Sequence, residues 1–206
     1  PLSLAYGSEN VGAIERLHFA GAPLDLTPKG DGAALADAVG GTLTATGSVR
    51  IEGAVQVSAL AGYAAGDWWV QDAAAALPVA ILKPKRGEKI IDLCCAPGGK
   101  TMQIAASGAE VTAVDTSDRR MQRVRENLER AKLSADLVVG DAMETRGQYD
   151  AVLLDAPCSA TGTIRRHPDL PLVKDGSEFG ELIKLQAQML AYAVTLLKPG
   201  GRLMFC

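Results

Sequence analysis

Four short segments carry the residues whose types and spacing can do chemistry. The first, Asp92-Leu-Cys-Cys-Ala-Pro-Gly-Gly-Lys-Thr101, ends in Gly98 and Gly99, which permit close backbone approach and positive φ. A helix starting there offers free N–H groups and a partial positive charge to an anion. The run is not a phosphate-binding P-loop, which has four residues between its first Gly and Gly-Lys, nor the G-x-G-x-x-G of dinucleotide enzymes. A tight turn that binds nothing is the plain alternative. Seventeen residues past Gly98 stands Asp115, where a carboxylate can accept hydrogen bonds from both hydroxyls of a ribose. In Gly140-Asp141-Ala142 a second acid is placed to meet an adenine amino group. Either aspartate can instead be a helix N-cap, Asp115 before Thr116-Ser117 above all.

Taken together, these segments ask for a nucleoside-bearing ligand whose other end is a carboxylate rather than a pyrophosphate, and S-adenosylmethionine has that shape. The fourth segment, Asp155-Ala-Pro-Cys-Ser-Ala-Thr-Gly162, has no aromatic after its proline. Enzymes that methylate exocyclic amines usually show Asn or Asp, Pro, Pro and an aromatic at this point. A cysteine directly after proline points instead to C5 of a pyrimidine, a carbon that becomes nucleophilic only when a thiolate adds to the neighbouring C6. Alone, Cys158 would read as a small buried hydrophobe, the commoner fate of a cysteine.

The elements that must position these residues follow from pattern. From about residue 68 the chain predicts a helix at 71–82, a strand at 89–94, a helix to about 107, a strand at 110–115 and a helix at 118–132. Strands at 136–140 and 149–154, a long loop, a helix at 178–197 and a strand at 201–206 complete it. Strands alternating with helices imply an α/β fold with parallel crossovers, whose ligands sit at the carboxyl ends of the strands. Met121, Val124, Leu128 and Ala131 form the buried stripe of the 118–132 helix. Arg119, Arg120, Arg123, Arg125, Arg130 and Lys132 then lie largely off it, as a solvated face. Before residue 67 the pattern is different: a short helix marked by Val11, Ile14 and Leu17, then Gly- and Thr-rich pieces such as Gly41-Thr-Leu-Thr-Ala-Thr that alternate as strands do. The expected division is a small α+β module over 1–66 and a larger domain over 67–206.

Composition narrows the class. The chain has 206 residues, 48% hydrophobic and 22% charged, a globular balance. No apolar run reaches the ~18 to 20 residues of a membrane span, and no signal sequence is visible, so a cytoplasmic protein is expected. Cys94, Cys95, Cys158 and Cys206 are too unevenly spaced for a disulfide framework, and no C-x-x-C pair suggests zinc, so free thiols and no metal are expected. The net charge of −3 lacks the basic surplus of a general polyanion binder. Residues 1–60 hold three basic and six acidic residues, however, and the remainder balances. The chain begins with Pro1 and ends on Cys206 within an apolar run, as a fragment of a longer protein would.

The set Val70-Gln-Asp72, Asp92 to Thr101, Asp155 to Gly162 and Ile164-Arg-Arg-His-Pro-Asp169 resembles the Sun (Fmu) family of RNA cytosine-C5 methyltransferases, over roughly residues 68–206. The resemblance implies a Rossmann-like S-adenosylmethionine-dependent methyltransferase fold with a mostly parallel sheet. It also implies transfer of methyl to C5 of a cytosine in RNA, most simply 16S ribosomal RNA of the small subunit, through a covalent cysteine adduct at C6. By resemblance, Cys94, Cys95, Ala96, Pro97, Gly98, Gly99 and Lys100 hold the methionine part of the cofactor, Asp115 the ribose and Asp141 the adenine. Asp155, shared between cofactor and base, hydrogen-bonds or protonates cytosine N3, a general-acid role commonly worth ~10²- to 10⁴-fold. Cys158 assists removal of the C5 proton and release of the adduct, and Pro157, Arg165 and Arg166 meet the RNA beside the target base. The family's attacking cysteine lies in an aromatic-Ser-Thr-Cys-Ser pattern after the next strand. Laid on Phe205 and Cys206, that pattern puts the nucleophile two residues beyond Cys206; Cys206 as a core residue, or as the attacking thiol itself, are the alternatives. A methyltransferase of a small molecule or protein, and a cofactor-binding module without catalysis, are the competing readings.

Overall fold

A computed structural model describes residues 2–206. In chain order its elements are α1 (Leu2–Tyr6), α2 (Ser8–Ala20), β1 (Leu24–Pro28), α3 (Gly32–Val39), β2 (Thr42–Leu43), β3 (Val49–Ile51), β4 (Trp68–Val70), α4 (Ala73–Leu82) and β5 (Lys89–Leu93). There follow α5 (Gly99–Ala106), β6 (Glu110–Asp115), α6 (Asp118–Ala131), β7 (Asp136–Val139), β8 (Tyr149–Leu154), α7 (Leu170–Val173), α8 (Phe179–Thr195) and β9 (Leu197–Phe205). Contacts divide the chain into two compact units. The stretch ending at Pro23 groups with Cys158–Ile183, and Leu24–Pro157 groups with Lys184–Cys206.

The larger unit holds both sheets. Five strands run parallel in the order β7-β6-β5-β8-β9, with β5 at the centre, Leu93 level with Val114 of β6 and with Leu154 of β8. Ile90, Ile91, Asp92 and Leu93 are at most 1% exposed, so β5 is covered on both faces as a parallel strand must be. Helix α6 turns Met121, Val124, Leu128 and Ala131 onto the sheet beside Ala113, as its spacing predicts. Its N-cap is Ser117, whose hydroxyl accepts from Arg120 N–H. The last strand starts at Leu197 rather than 201, because Lys198-Pro-Gly-Gly forms an irregularity between the pairs Tyr149–Leu197 and Ala151–Arg202.

The other sheet, antiparallel in the order β2-β3-β1-β4, differs from a module closed at residue 66, because its fourth strand is Trp68–Val70. α1 and α2 group with Cys158–Ile183 instead of with this sheet. The alternating run after Gly41 makes only the two-residue strand β2 before a turn at Thr44–Gly47. Polar side chains fasten this sheet to the parallel one. Asp25 receives both Arg50 Nε and Nη2 at 2.7 and 2.8 Å and also Ala73 N–H at 3.0 Å, which caps α4. Arg130 of α6 stacks 4.5 Å over the Tyr63 ring and donates to the Tyr63 and Trp68 carbonyls. Gly66, at φ 76°, lies so close that a Cβ there would sit 2.0 Å from the Arg130 carbonyl oxygen.

Candidate active site

The site lies at the carboxyl ends of β5, β6, β7 and β8 within the larger unit. β5 ends on Asp92 and Leu93, after which Cys94 takes φ 64° and the Ala96–Pro97 peptide is cis. Gly98, at φ 99°, stands before the first turn of α5. The turn is held from both sides: Cys95 N–H donates to Val114 O, Arg120 Nη2 donates to Ala96 O at 2.7 Å and Asn127 Nδ2 to Pro97 O at 2.9 Å. On the far side Gln71 packs against Gly99, where a Cβ would lie 3.2 Å from the amide carbon.

Asp115, 3% exposed, organises this turn. Its Oδ2 accepts Ala96 N–H at 3.2 Å and lies 3.3 Å from Arg120 Nη2, while Oδ1 accepts Ser117 N–H at 3.0 Å. A carboxylate has about four lone-pair sites, so acceptor capacity remains on Oδ1. Asp141 is exposed and uses Oδ1 to accept Met143 N–H at 2.8 Å. Both aspartates line one cleft of about 230 Å³, together with Cys94, Thr116, Arg120 and Gly140. Its other wall is apolar, with Ala142, Met143, Pro157, Leu185 and Met189. Two carboxylates facing an apolar slot suit a nucleoside, whose sugar hydroxyls and amino group need acceptors and whose base needs a dry surface.

At the end of β8 the Asp155 carboxylate accepts Lys100 Nζ at 2.7 Å through Oδ2. Oδ1 lies 3.5 Å from the Cys206 thiol. The ammonium is largely covered and the carboxylate is partly open to solvent. Behind them, Asp92 is fully buried; Thr101 Oγ1 donates to its Oδ2 at 2.6 Å and its Oδ1 has no partner among the described residues. Burial, with Asp155 nearby, pushes the Asp92 carboxyl up to about 7. Burial also pushes the Cys94 thiol up to about 11, aided by Asp115, and the Cys206 thiol up to about 12, aided by Asp155. Cys95 is raised as well, again chiefly by burial. These three therefore stay thiols at neutral pH.

The structure thus brings Cys94 to Lys100, Asp115, Asp141, Asp155 and Pro157 together in one unit. Cys158, Arg165 and Arg166 are exposed and belong to the other, where Cys158 Sγ lies 3.4 Å from Ala160 N. Arg120 was grouped with the solvated face of α6, yet it reaches inward to the turn and the cleft. Its signal was its place three residues after the Ser117 cap, where a long side chain reaches back over the helix start. The apolar wall from α8 and the part played by Gln71 also went unread. Among the described residues there is no group of three or more metal-ligating side chains and no helix long and apolar enough to cross a membrane.

Comparison with known proteins identifies the family. Residues 79–206 match the family model of the 16S rRNA methyltransferase RsmB/F. Ribosomal RNA small subunit methyltransferase B of Cronobacter sakazakii is 48% identical over 167 residues, covering 77% of this chain and 38% of the relative. The counterpart in Serratia proteamaculans is 45% identical over 165 residues, with the same shares. The chain therefore spans about 38% of the length of the curated relatives it matches. Among solved structures, PH0851 superposes with a TM-score of 0.85 at 26% identity, covering 98% of this chain and 50% of that one. NSun6 from Pyrococcus horikoshii, solved with SFG, gives 0.63 at 26% identity, covering 76% and 44%. With a Rossmann-like parallel sheet, these strand-end residues and a family match over most of its length, the chain belongs to the RsmB/F family of 16S rRNA methyltransferases.

Proposed function

We propose that the protein carrying this chain transfers a methyl group from S-adenosylmethionine to C5 of a cytosine in small-subunit ribosomal RNA, in the cytoplasm. The observation that carries this reading is the adjacency of the acid-lined cleft and the Asp155–Lys100 pair at neighbouring strand ends. The cleft residues fit the cofactor by the chemistry of their donors. Asp115 and Asp141 accept from the sugar and the adenine amino group, Met143, Leu185 and Met189 cover the base, and the Cys94–Lys100 turn meets the methionine portion. When bound, S-adenosylmethionine supplies an electrophilic methyl group.

Asp155 presents Oδ1 to cytosine N3. As a cysteine thiolate of the intact protein forms its bond to C6, N3 takes a proton that the Lys100 ammonium supplies through Asp155, and C5 gains the electron density that receives the methyl group. The Lys100 ammonium, 2.7 Å from Oδ2, is the source of that proton and regains it through Asp155 when the base is released. Cys158 then assists transfer of the C5 proton to water. The C5–C6 double bond reforms, the sulfur–C6 bond breaks and the thiolate is released. Desolvation and the neighbouring Asp155 carboxylate raise the Cys206 thiol, which disfavours its ionisation. Arg165 and Arg166 contact phosphates beside the target. The base must leave its stack to reach Asp155, so the site is single-stranded or loosely paired.

Bisulfite sequencing of ribosomal RNA from cells with and without the gene tests the reading. One or more small-subunit cytosines are expected to resist conversion only when the gene is present. Identical conversion in both strains would refute it.

A further inference from the structure

The β8 ladder runs out at Ala156. Asp155 N–H donates to Leu93 O at 3.2 Å and Ala156 N–H to Cys206 O at 2.9 Å, and the next residue, Pro157, has no N–H. Its one backbone polar atom is the carbonyl oxygen, and Gln186 Nε2 of α8 donates to it at 2.8 Å. Met189, one turn after Gln186, and Leu185, next to it in sequence, line the cofactor cleft together with Pro157. Met189 also packs with Ala156 in the core beneath α8. One turn of α8 therefore forms the apolar wall of the cleft and grips the segment leading out of β8. Pro157 is exposed, so water can replace Gln186 at the carbonyl, and the bond adds little to folding. What it fixes is the direction in which the chain leaves the sheet.

We propose that Gln186 is a positioning residue, tying the cofactor cleft to the Asp155–Pro157 segment so that a ligand held against Leu185 and Met189 also restrains Pro157. The proposal rests on the function given above, but its test separates the two. In the intact protein, Gln186→Met keeps the reach and removes the donor, and Gln186→Lys restores a donor. Gln186→Met is expected to lower kcat on RNA about 10- to 100-fold, with KM for the cofactor within about threefold and Tm unmoved, and Gln186→Lys to recover part of the loss. Hydrogen exchange of the amides just after Pro157 should slow about fivefold or more when S-adenosylhomocysteine binds the wild type. In Gln186→Met it should not respond at equal occupancy. Protection that persists in Gln186→Met, or a fall in Tm and kcat together without rescue by lysine, would overturn the proposal. A wild type that shows the donor-dependent protection yet transfers no methyl to RNA would defeat the function and leave the clasp standing. Failure of S-adenosylhomocysteine to bind would overturn both.

Discussion

Asp92 is a carboxyl group enclosed by protein, with one oxygen bonded to Thr101 and the other unpartnered among the described residues. Its folded value of about 7 stands well above the ~3.9 of an unfolded aspartate. Between those values the folded chain binds the extra proton, so stability falls as pH rises from about 4 to 7 and stays reduced above that. Asp92→Asn removes the titration and leaves Thr101 an amide oxygen to donate to. The difference in Tm between variant and wild type should therefore grow in favour of the variant from pH 4 to pH 8. Thermal unfolding across that range checks it, and a constant difference would mean that Asp92 does not titrate there. The strand-end acids were legible at this scale, because each stands within two residues of a strand's end: Asp115 closes β6, Asp155 follows β8 directly and Asp141 comes two residues after β7. Arg120 was not, because counting a helical stripe says which residues face the core and nothing about a long side chain folding back over its own N-terminus.

The elements differ in how much of them can be read from pattern. β5, β6 and β8 each carry a mostly apolar stretch, and their alternation with the helices α4, α5 and α6 points to a parallel sheet from local sequence alone. β1, β3 and β4 have only three to five residues each. Three of their buried positions are polar: Asp25, Thr27 and, just before β3, Ser48. Asp25 finds its partners 25 and 48 residues away, which no local window contains. Gln71 illustrates the consequence. Its Oε1 accepts Trp69 Nε1 at 2.8 Å and Thr27 Oγ1 at 3.0 Å, and its Nε2 donates to Gln103 Oε1 at 2.8 Å and to Ala75 O. The side chain joins β1, β4, α4 and α5 directly behind the Gly98–Gly99 turn. Gln71→Leu leaves the Trp69 and Thr27 donors stranded, at about 1–3 kcal/mol for each buried group. A loss of about 2–4 kcal/mol in urea unfolding is expected, with weaker cofactor binding because Gly99 loses its support. Unchanged stability would show that water reaches this network.

For the molecule as a whole, net charge was a poor guide. The −3 resides in the first 60 residues, while Arg165 and Arg166 stand exposed in the unit that also carries Cys158. The cofactor cleft and Asp155 belong to the other unit. The motifs were legible because each is a contiguous run; the grouping of the first helices with Cys158–Ile183 was not, since its contacts join segments more than a hundred residues apart. Tritium release distinguishes chemistry at C5 from chemistry at an amino group directly. Small-subunit ribosomal RNA transcribed with tritium at cytosine C5 is incubated with the intact protein and S-adenosylmethionine carrying a carbon-14 methyl group. One tritium released to water is expected for each methyl group incorporated. Methyl incorporation with the tritium retained would contradict it.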